Sequence, residues 1–391
     1  MATADFHLAV ALDGTGWHPT SWREPEARPR DLFAAGYWTD LVAEAERCLL
    51  DLVTIEDTLA LQSDDPRQVT GRLDAVLVAA RVAPLTRHVG IVPTQVVTHT
   101  EPFHASKAIA TLDYVSTGRA GVRVRVSHRP DEAALFGRRT VAAGLLDDPG
   151  DGEAPAALAE LFDEAADYVE VLRRLWDSWE DDAEIRDAAT GRFVDREKLH
   201  YIDFHGAQFS VRGPSITPRP PQGQPVVAAL AHRDVAFRLV GRSADLGFVT
   251  PRDAADAGDI LGTIRAEQEA AGRGGETVHV FGDVVVFLDA SAAAAAERKE
   301  RLDALLGHEY RSDARVFVGT PAELADLALE WRAAGLSGLR LRPGVLPHDL
   351  EQITRGLVPE LQRRGAFRTG YEADTLRGLL GLSRPANRYA A

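Results

Sequence analysis

The stretch A-T-L-D-Y-V-S-T-G-R-A-G-V-R-V-R-V-S, residues 110 to 127, joins the end of a helix to a buried strand, and its reading decides the fold. Apolar positions from Ala108 to Val115 keep the spacing of a helix laid on a sheet. Ser116, Thr117 and Gly118 then supply the polar side chains and the left-handed backbone position that stop it. A β-branched run follows at once from Ala120 to Val126, so the chain passes from helix to strand within about four residues, the short connection of an α/β unit.

The same alternation extends in both directions. Strands are expected at Phe6 to Leu12, Leu52 to Glu56, Val89 to Val92, Gly121 to Val126, Val226 to Ala229, Leu246 to Thr250, Val278 to Phe287 and Gly338 to Leu341. Amphipathic helices fall between them, at Tyr37 to Leu49, Arg72 to Arg81, Pro102 to Val115, Ala157 to Glu180, Asp234 to Val240, Arg252 to Ala271, Ser291 to Leu306 with Pro321 to Ala334, and His348 to Arg364. Eight short apolar strands alternating with helices predict an α/β fold, a closed (β/α)8 TIM barrel. Residues 182 to 224, rich in Asp, Gly, Pro and Arg, read as an insertion between strands 4 and 5 with a hairpin around Gln208 to Val211. The C-terminal extension, 367 to 391, is expected to wrap the outside of a single domain spanning residues 1 to 391.

A net charge of −15 argues against nucleic acid as a partner, since a phosphate-binding surface needs clustered Lys and Arg. It leaves room for a small anion held locally by arginines. Cys48 is the single cysteine, so the chain can form no internal disulfide and no cysteine-based metal site, and the buried side of a helix is its expected place. The start, M-A-T-A-D-F-H-L, lacks a basic patch followed by an apolar stretch, and no run of about 18 apolar residues occurs. The expectation is a cytoplasmic protein with no membrane contact.

Several separated blocks resemble the bacterial-luciferase-like flavin monooxygenases, in the branch that contains nitrilotriacetate, dibenzothiophene-sulfone and long-chain-alkane monooxygenases. They are G-W-H-P-T-S-W-R-E-P at 16 to 25, L-D-Y-V-S-T-G-R-A-G at 112 to 121, L-W-D-S-W-E-D-D at 175 to 182, F-S-V-R-G-P-S-I-T-P-R-P-P-Q-G-Q-P-V at 209 to 226 and V-P-E-L-Q-R-R-G-A-F-R-T-G-Y at 358 to 371. The resemblance implies a two-component monooxygenase. Reduced flavin mononucleotide (FMN), supplied by a separate flavin reductase, would sit at the C-terminal ends of the strands and act with O2 on a small organic substrate. It further implies a homodimer or homotetramer. Two alternatives stay open: an oxidoreductase using the deazaflavin F420, and a flavin-free, non-catalytic barrel serving as a binding or partner subunit.

The resemblance also nominates residues. Asp57 and Thr94 end strands two and three beside the implied flavin, although Asp57 can equally cap its own loop. His128, directly after strand four, matches a histidine implicated in oxygen chemistry or substrate contact, work that suits imidazole near neutral pH; a surface loop histidine is the competing account. His18 and Trp22 lie on the loop after strand one where the family builds part of its substrate pocket, and Thr98 and His99 lie on the loop after strand three. His200, Asp203 and His205 have metal-like spacing but fall in a family block that needs no metal.

This chain departs from the family in three places. Strand four reads R-V-R-V-S at 123 to 127 where N-V-V-T-S is usual, with Arg123, Arg125 and Ser127 on one face by strand parity. Arg340 and Arg342 repeat the pattern on strand eight, so buried partners such as Glu56, Asp57 or Asp13 are expected. After strand five, A-L-A-H-R at 229 to 233 replaces Q-A-G-A-S, which puts His232 and Arg233 beside Ser127 as cofactor-binding candidates. Finally, only Asp289 to Val318 stands where relatives carry a longer covering segment.

Overall fold

The computed structural model describes residues 6–144 and 155–390. Residues 1–5, 145–154 and 391 lie outside it, and with them the ends of the expected domain. Strands β1 (His7–Leu12), β2 (Leu52–Ile55), β3 (Gly90–Val96), β4 (Gly121–Arg125), β5 (Val226–Ala231), β6 (Leu246–Val249), β7 (His279–Leu288) and β8 (Gly338–Pro343) pair in parallel in chain order. β8 returns to β1, with Val10 opposite Leu341, so the eight close into a ring. All eight expected strands are present, and each expected helix has a counterpart shifted by only a few residues at its ends.

The stretch that decides the fold behaves as its chemistry dictates. The helix Pro102–Val115 ends at Thr117 and Gly118, both with positive φ (57° and 88°), and the Gly118 N–H donates to the Asp113 carbonyl at 2.8 Å. The Asp113 carboxylate accepts the backbone N–H groups of Ala120 (3.2 Å) and Gln222 (3.0 Å), tying the helix end to the residue before β4 and to the long insertion. Burial pushes its acid up to about 6. Beside it the buried Arg119 spends every donor locally: Nε on Ser116 O, Nη1 on Thr86 Oγ1 and Val89 O, and Nη2 on Ala83 O and Thr86 O.

Side chains fill the ring in layers. Toward the N-terminal end, Ala9, Leu52, Val92, Val226, Ala228, Leu246, Phe248 and Phe281 form an apolar layer. Leu376 and Leu380 join that layer from the short helix Leu376–Leu379 and the residue after it. The C-terminal extension therefore does more than wrap the outside, correcting the expectation, because it stoppers this end of the barrel. Gly90 and Gly121 make the socket: a Cβ at Gly90 would lie 2.4 Å from Leu376 Cδ1, and one at Gly121 would lie 3.3 Å from Leu376 Cδ2. Above the apolar layer the interior turns ionic.

Other local features differ from the sequence reading. A ninth strand, Arg315–Gly319, pairs in parallel with the upper half of β7; at five residues its pattern is too short to stand out from the lid around it. The insertion carries two hairpins, Glu184–Asp187 with Arg192–Val194, and Phe204–His205 with Ser210–Val211, the second close to the expected one. The helix beginning at His348 widens to a π turn over Ile353–Leu357, where the Thr354 hydroxyl donates to Glu44 at 2.7 Å. Cys48 caps the C-terminal end of the helix Ala35–Arg47 and is only half-buried, because the turn into Leu49 carries it off the packed face.

At the stoppered end, His279 Nε2 lies 2.7 Å from the Leu380 carbonyl. Burial and the neighbouring His7 push His279 down to about 4. Between about pH 6.5, where an unfolded imidazole titrates, and about pH 4 the unfolded chain takes up a proton that the folded chain refuses, so stability falls as pH falls. Urea midpoints measured across this window are expected to drop less steeply for His279→Phe than for the natural chain. Equal slopes would reject the assignment.

Candidate active site

The ionic layer begins with the register of β7 and β8, which sets Asp283 opposite Arg340. Arg340 donates from Nη1 to Asp283 Oδ2 at 2.7 Å and from Nε to Thr54 at 3.0 Å, reaches Glu56 with Nη2, and lies over the Phe248 ring at 4.8 Å. Arg342 shares Asp283 Oδ2 (Nε, 2.8 Å) and extends to Asp313 Oδ1 (Nη1, 2.7 Å). Arg123 pairs with the other oxygen of Glu56 and donates to Thr94 Oγ1 at 2.8 Å. Three guanidiniums and three carboxylates thus form one lattice across β2, β4, β7 and β8. Burial pushes Glu56 up, but Arg123 and Arg340 outweigh it and hold the carboxyl below its ordinary value. Burial also opposes the charge on Asp313, and Arg342 again prevails. Burial brings Arg123 down to about 10, which still leaves it charged at neutral pH.

Over this lattice opens a cavity of about 400 Å³ at the C-terminal ends of the strands, the position where such barrels keep their ligand groups. Its floor is Glu56, Arg123 and Arg342. One wall is apolar: Val124 and Val126 from β4 and its end, Leu158 and Phe162 from the helix Ala156–Asp177, and Ala236 and Leu239 from the helix Asp234–Ser243. Trp17 covers Arg342, with the guanidinium carbon 4.6 Å from the ring centre. Arg125, His128, His232 and Arg233 complete the rim. Burial, aided by Arg125, pushes His128 below its ordinary value, which leaves it neutral at pH 7. Burial does the same to His232, against the pull of Asp313, whose Oδ2 lies 3.2 Å from His232 Nε2.

Of the residues nominated from sequence, His128, His232 and Arg233 line this cavity together. The others stand elsewhere. His18 is fully buried, its Nε2 3.1 Å from Asp303 and its Nδ1 2.9 Å from the Thr20 hydroxyl, fastening the first loop to the helix Ala292–Leu306. Its neighbour Trp17 takes the cavity place, lying over Arg342. Trp22 donates to the Arg67 carbonyl at 2.9 Å and anchors the loop outside the cavity. Asp57 spends its carboxylate on the N–H groups of Thr58 (2.8 Å) and Ala75 (2.9 Å), the latter opening the helix Ala75–Val82. Thr94 lies under the floor, and Thr98 accepts the Ser127 N–H at 2.7 Å, so these three hold the rim in shape from behind. His99 stacks on Phe136 at 5.5 Å. His200 pairs with Glu180 and His205 with Ser210, away from the cavity.

The expected partners of the buried arginines are partly corrected. Glu56 serves Arg123 and Arg340, but Asp13 pairs with Arg72, and Asp57 offers Arg125 its backbone carbonyl, 2.6 Å from Nη1. Asp283 and Asp313 do the rest. Asp283 had a sequence signal, a lone carboxylate within V-F-G-D-V-V-V-F; Asp313 had none.

A flavin nucleotide matches this donor set. The apolar wall suits a ring system, and Arg233 precedes the helix Asp234–Ser243, whose Asp234 and Val235 N–H groups have no intrahelical acceptor and favour an anion such as phosphate, while those of Ala236 and Phe237 donate to the Arg233 carbonyl. The Arg233 guanidinium has no hydrogen-bond or ion-pair partner among the described residues.

A closed parallel barrel with a cationic, apolar-walled cavity at its C-terminal rim defines an α/β-barrel protein with a ligand site at the strand ends. The profile of the luciferase-like monooxygenase family matches residues 15–319, and the chain belongs to that family of flavin-dependent monooxygenases. It is 30% identical to N-acetyl-S-(2-succino)cysteine monooxygenase of Bacillus subtilis (strain 168), covering 98% of each chain. It is 28% identical to nitrilotriacetate monooxygenase component A of Aminobacter aminovorans, over 100% of this chain and 99% of the relative. The crystal structure of a long-chain alkane monooxygenase superposes with a TM-score of 0.84 at 23% identity, covering 97% of this chain and 96% of the other. Two F420-dependent structures of the fold are more distant, with TM-scores of 0.65 and 0.61.

Proposed function

We propose that this chain is the oxygenase component of a two-component system, taking reduced FMN from a separate reductase and using O2 to oxidise a small organic substrate at the β4–β5 rim. The observation that carries this reading is the unpaired Arg233 at the start of a helix beside an apolar-walled cavity. Arg233, His232 and the first turn of the helix would hold the phosphate, and Val124, Leu158 and Phe162 would flank the ring system. The bound cofactor supplies the oxygen-activating redox chemistry. The protein excludes water through the apolar wall and keeps His128 neutral, its ring free of hydrogen-bond partners among the described residues and able to hold or pass one proton at the rim. Thr98 and Asp57 act behind the rim by fixing its backbone, Ser127 among it, and Thr94 holds the Arg123 side chain of the floor. The reading extends to a homodimer or homotetramer in the cytoplasm; no helix among the described residues is long and apolar enough to cross a membrane.

Two variants test it. Arg233→Ala is expected to weaken FMN binding, read as fluorescence quenching, by about tenfold or more, since a charge-assisted contact is removed. His128→Ala is expected to keep flavin affinity while lowering the yield of oxidised product per flavin consumed. An unchanged dissociation constant for the first rejects the phosphate role of Arg233, and full product yield for the second rejects the proton role of His128.

A further inference from the structure

We propose that Arg125 grips a carboxylate of the substrate, so that this enzyme acts on anionic organic acids; the proposal rests on the flavin reading above, in which Arg233 takes the cofactor phosphate. The charges around the cavity lead to it. Arg123, Arg340 and Arg342 are matched by Glu56, Asp283 and Asp313, so the lattice closes on itself. Two cavity-lining guanidiniums are left over, Arg125 and Arg233, and neither forms an ion pair among the described residues. They stand on different parts of the rim. Arg233 follows β5 at the start of a helix, whereas Arg125 reaches from β4 past β3 to the Asp57 carbonyl at the end of β2.

That single bond leaves the remaining donors of the Arg125 fork for a ligand. The nearby Asp57 carboxylate cannot neutralise it, being committed to the N–H groups of Thr58 and Ala75. Glu132 acts on this guanidinium through space but forms no ion pair with it, so a half-buried fork with a carbonyl for its only hydrogen-bond partner keeps donors to spare, and a planar carboxylate matches its free edge. The helix start beside Arg233 suits the cofactor phosphate instead. One cation for each anion keeps both ligands in place without competition.

The test uses the full chain, with and without FMN. Succinate is titrated by calorimetry, with the uncharged succinamide as control and inorganic phosphate as competitor, into the natural chain, Arg125→Gln, Arg125→Lys and Arg233→Gln. Succinate is expected to bind the natural chain in both forms while succinamide does not, and phosphate is expected to displace it poorly. Arg125→Gln should weaken succinate about tenfold or more and leave FMN affinity within about twofold, with Arg125→Lys intermediate because it keeps charge but not the fork. Arg233→Gln should do the reverse. No succinate binding to the natural chain, or binding indifferent to Arg125→Gln, overturns the proposal. Equal loss of FMN affinity in both glutamine variants also overturns it, by assigning both arginines to phosphate. Failure of the natural chain to bind FMN sinks the flavin reading instead, and the flavin-free titrations still decide whether Arg125 holds a carboxylate.

Discussion

Asp283→Ala is expected to destabilise the protein by about 3–5 kcal/mol, the usual loss when one partner is deleted from a buried ion pair and the other is left charged. The site is more exposed to this effect than an isolated pair. Asp283 Oδ2 accepts from both Arg340 and Arg342, so a single deletion takes one carboxylate partner from each of two buried guanidiniums. Glu56 continues to serve Arg340, and Asp313 continues to serve Arg342, which sets the upper limit. Urea unfolding measures the loss. A change below about 1 kcal/mol would mean that the lattice is hydrated and behaves like surface charge.

Arg119→Met is expected to cost a comparable amount, about 3–5 kcal/mol, although it removes no ion pair. The methionine fills much of the space but leaves the carbonyls of Thr86 and Val89 without a donor, while Ala83 keeps Thr86 and Ser116 keeps the Thr117 hydroxyl. Buried acceptors without donors are expensive. Arg119→Lys should recover only part of the loss, since one ammonium cannot reach four carbonyls spread around a planar fork. Thermal unfolding of the three proteins, natural, Met and Lys, orders them; equal midpoints would show that the carbonyls find water.

The buried arginines illustrate what the sequence discloses and what it withholds. Arg119 lies in the stretch from which helix end, turn and strand are legible, yet nothing local says that its side chain will bridge to the segment 83–89. Arg123 and Arg125 were assignable to one face by parity, and the demand for a buried partner followed from the cost of an unpaired charge. Glu56 met that demand, but Asp313 reached Arg342 from a lid segment whose path depends on the ninth strand, a long-range pairing with only a short local pattern. The rim was legible where a residue comes within three positions of a strand's end, as His128, His232 and Arg233 do. It was illegible on the first loop, where His18 and Trp17 are neighbours in sequence and only the packing against Asp303 and Arg342 decides which of them faces inward. Asp57 and Ser127 occupy the right strand ends, but the Asp57 carboxylate is claimed by backbone N–H groups close at hand and Ser127 is held by the Thr98 hydroxyl and Glu132.

Leu376 and Leu380 have a bearing on traffic. With the far end of the ring corked by residues that follow the last strand, cofactor, gas, substrate and product all share the doorway at the rim. Exchange through one doorway imposes a queue: the larger guest that reaches deepest must arrive first and leave last.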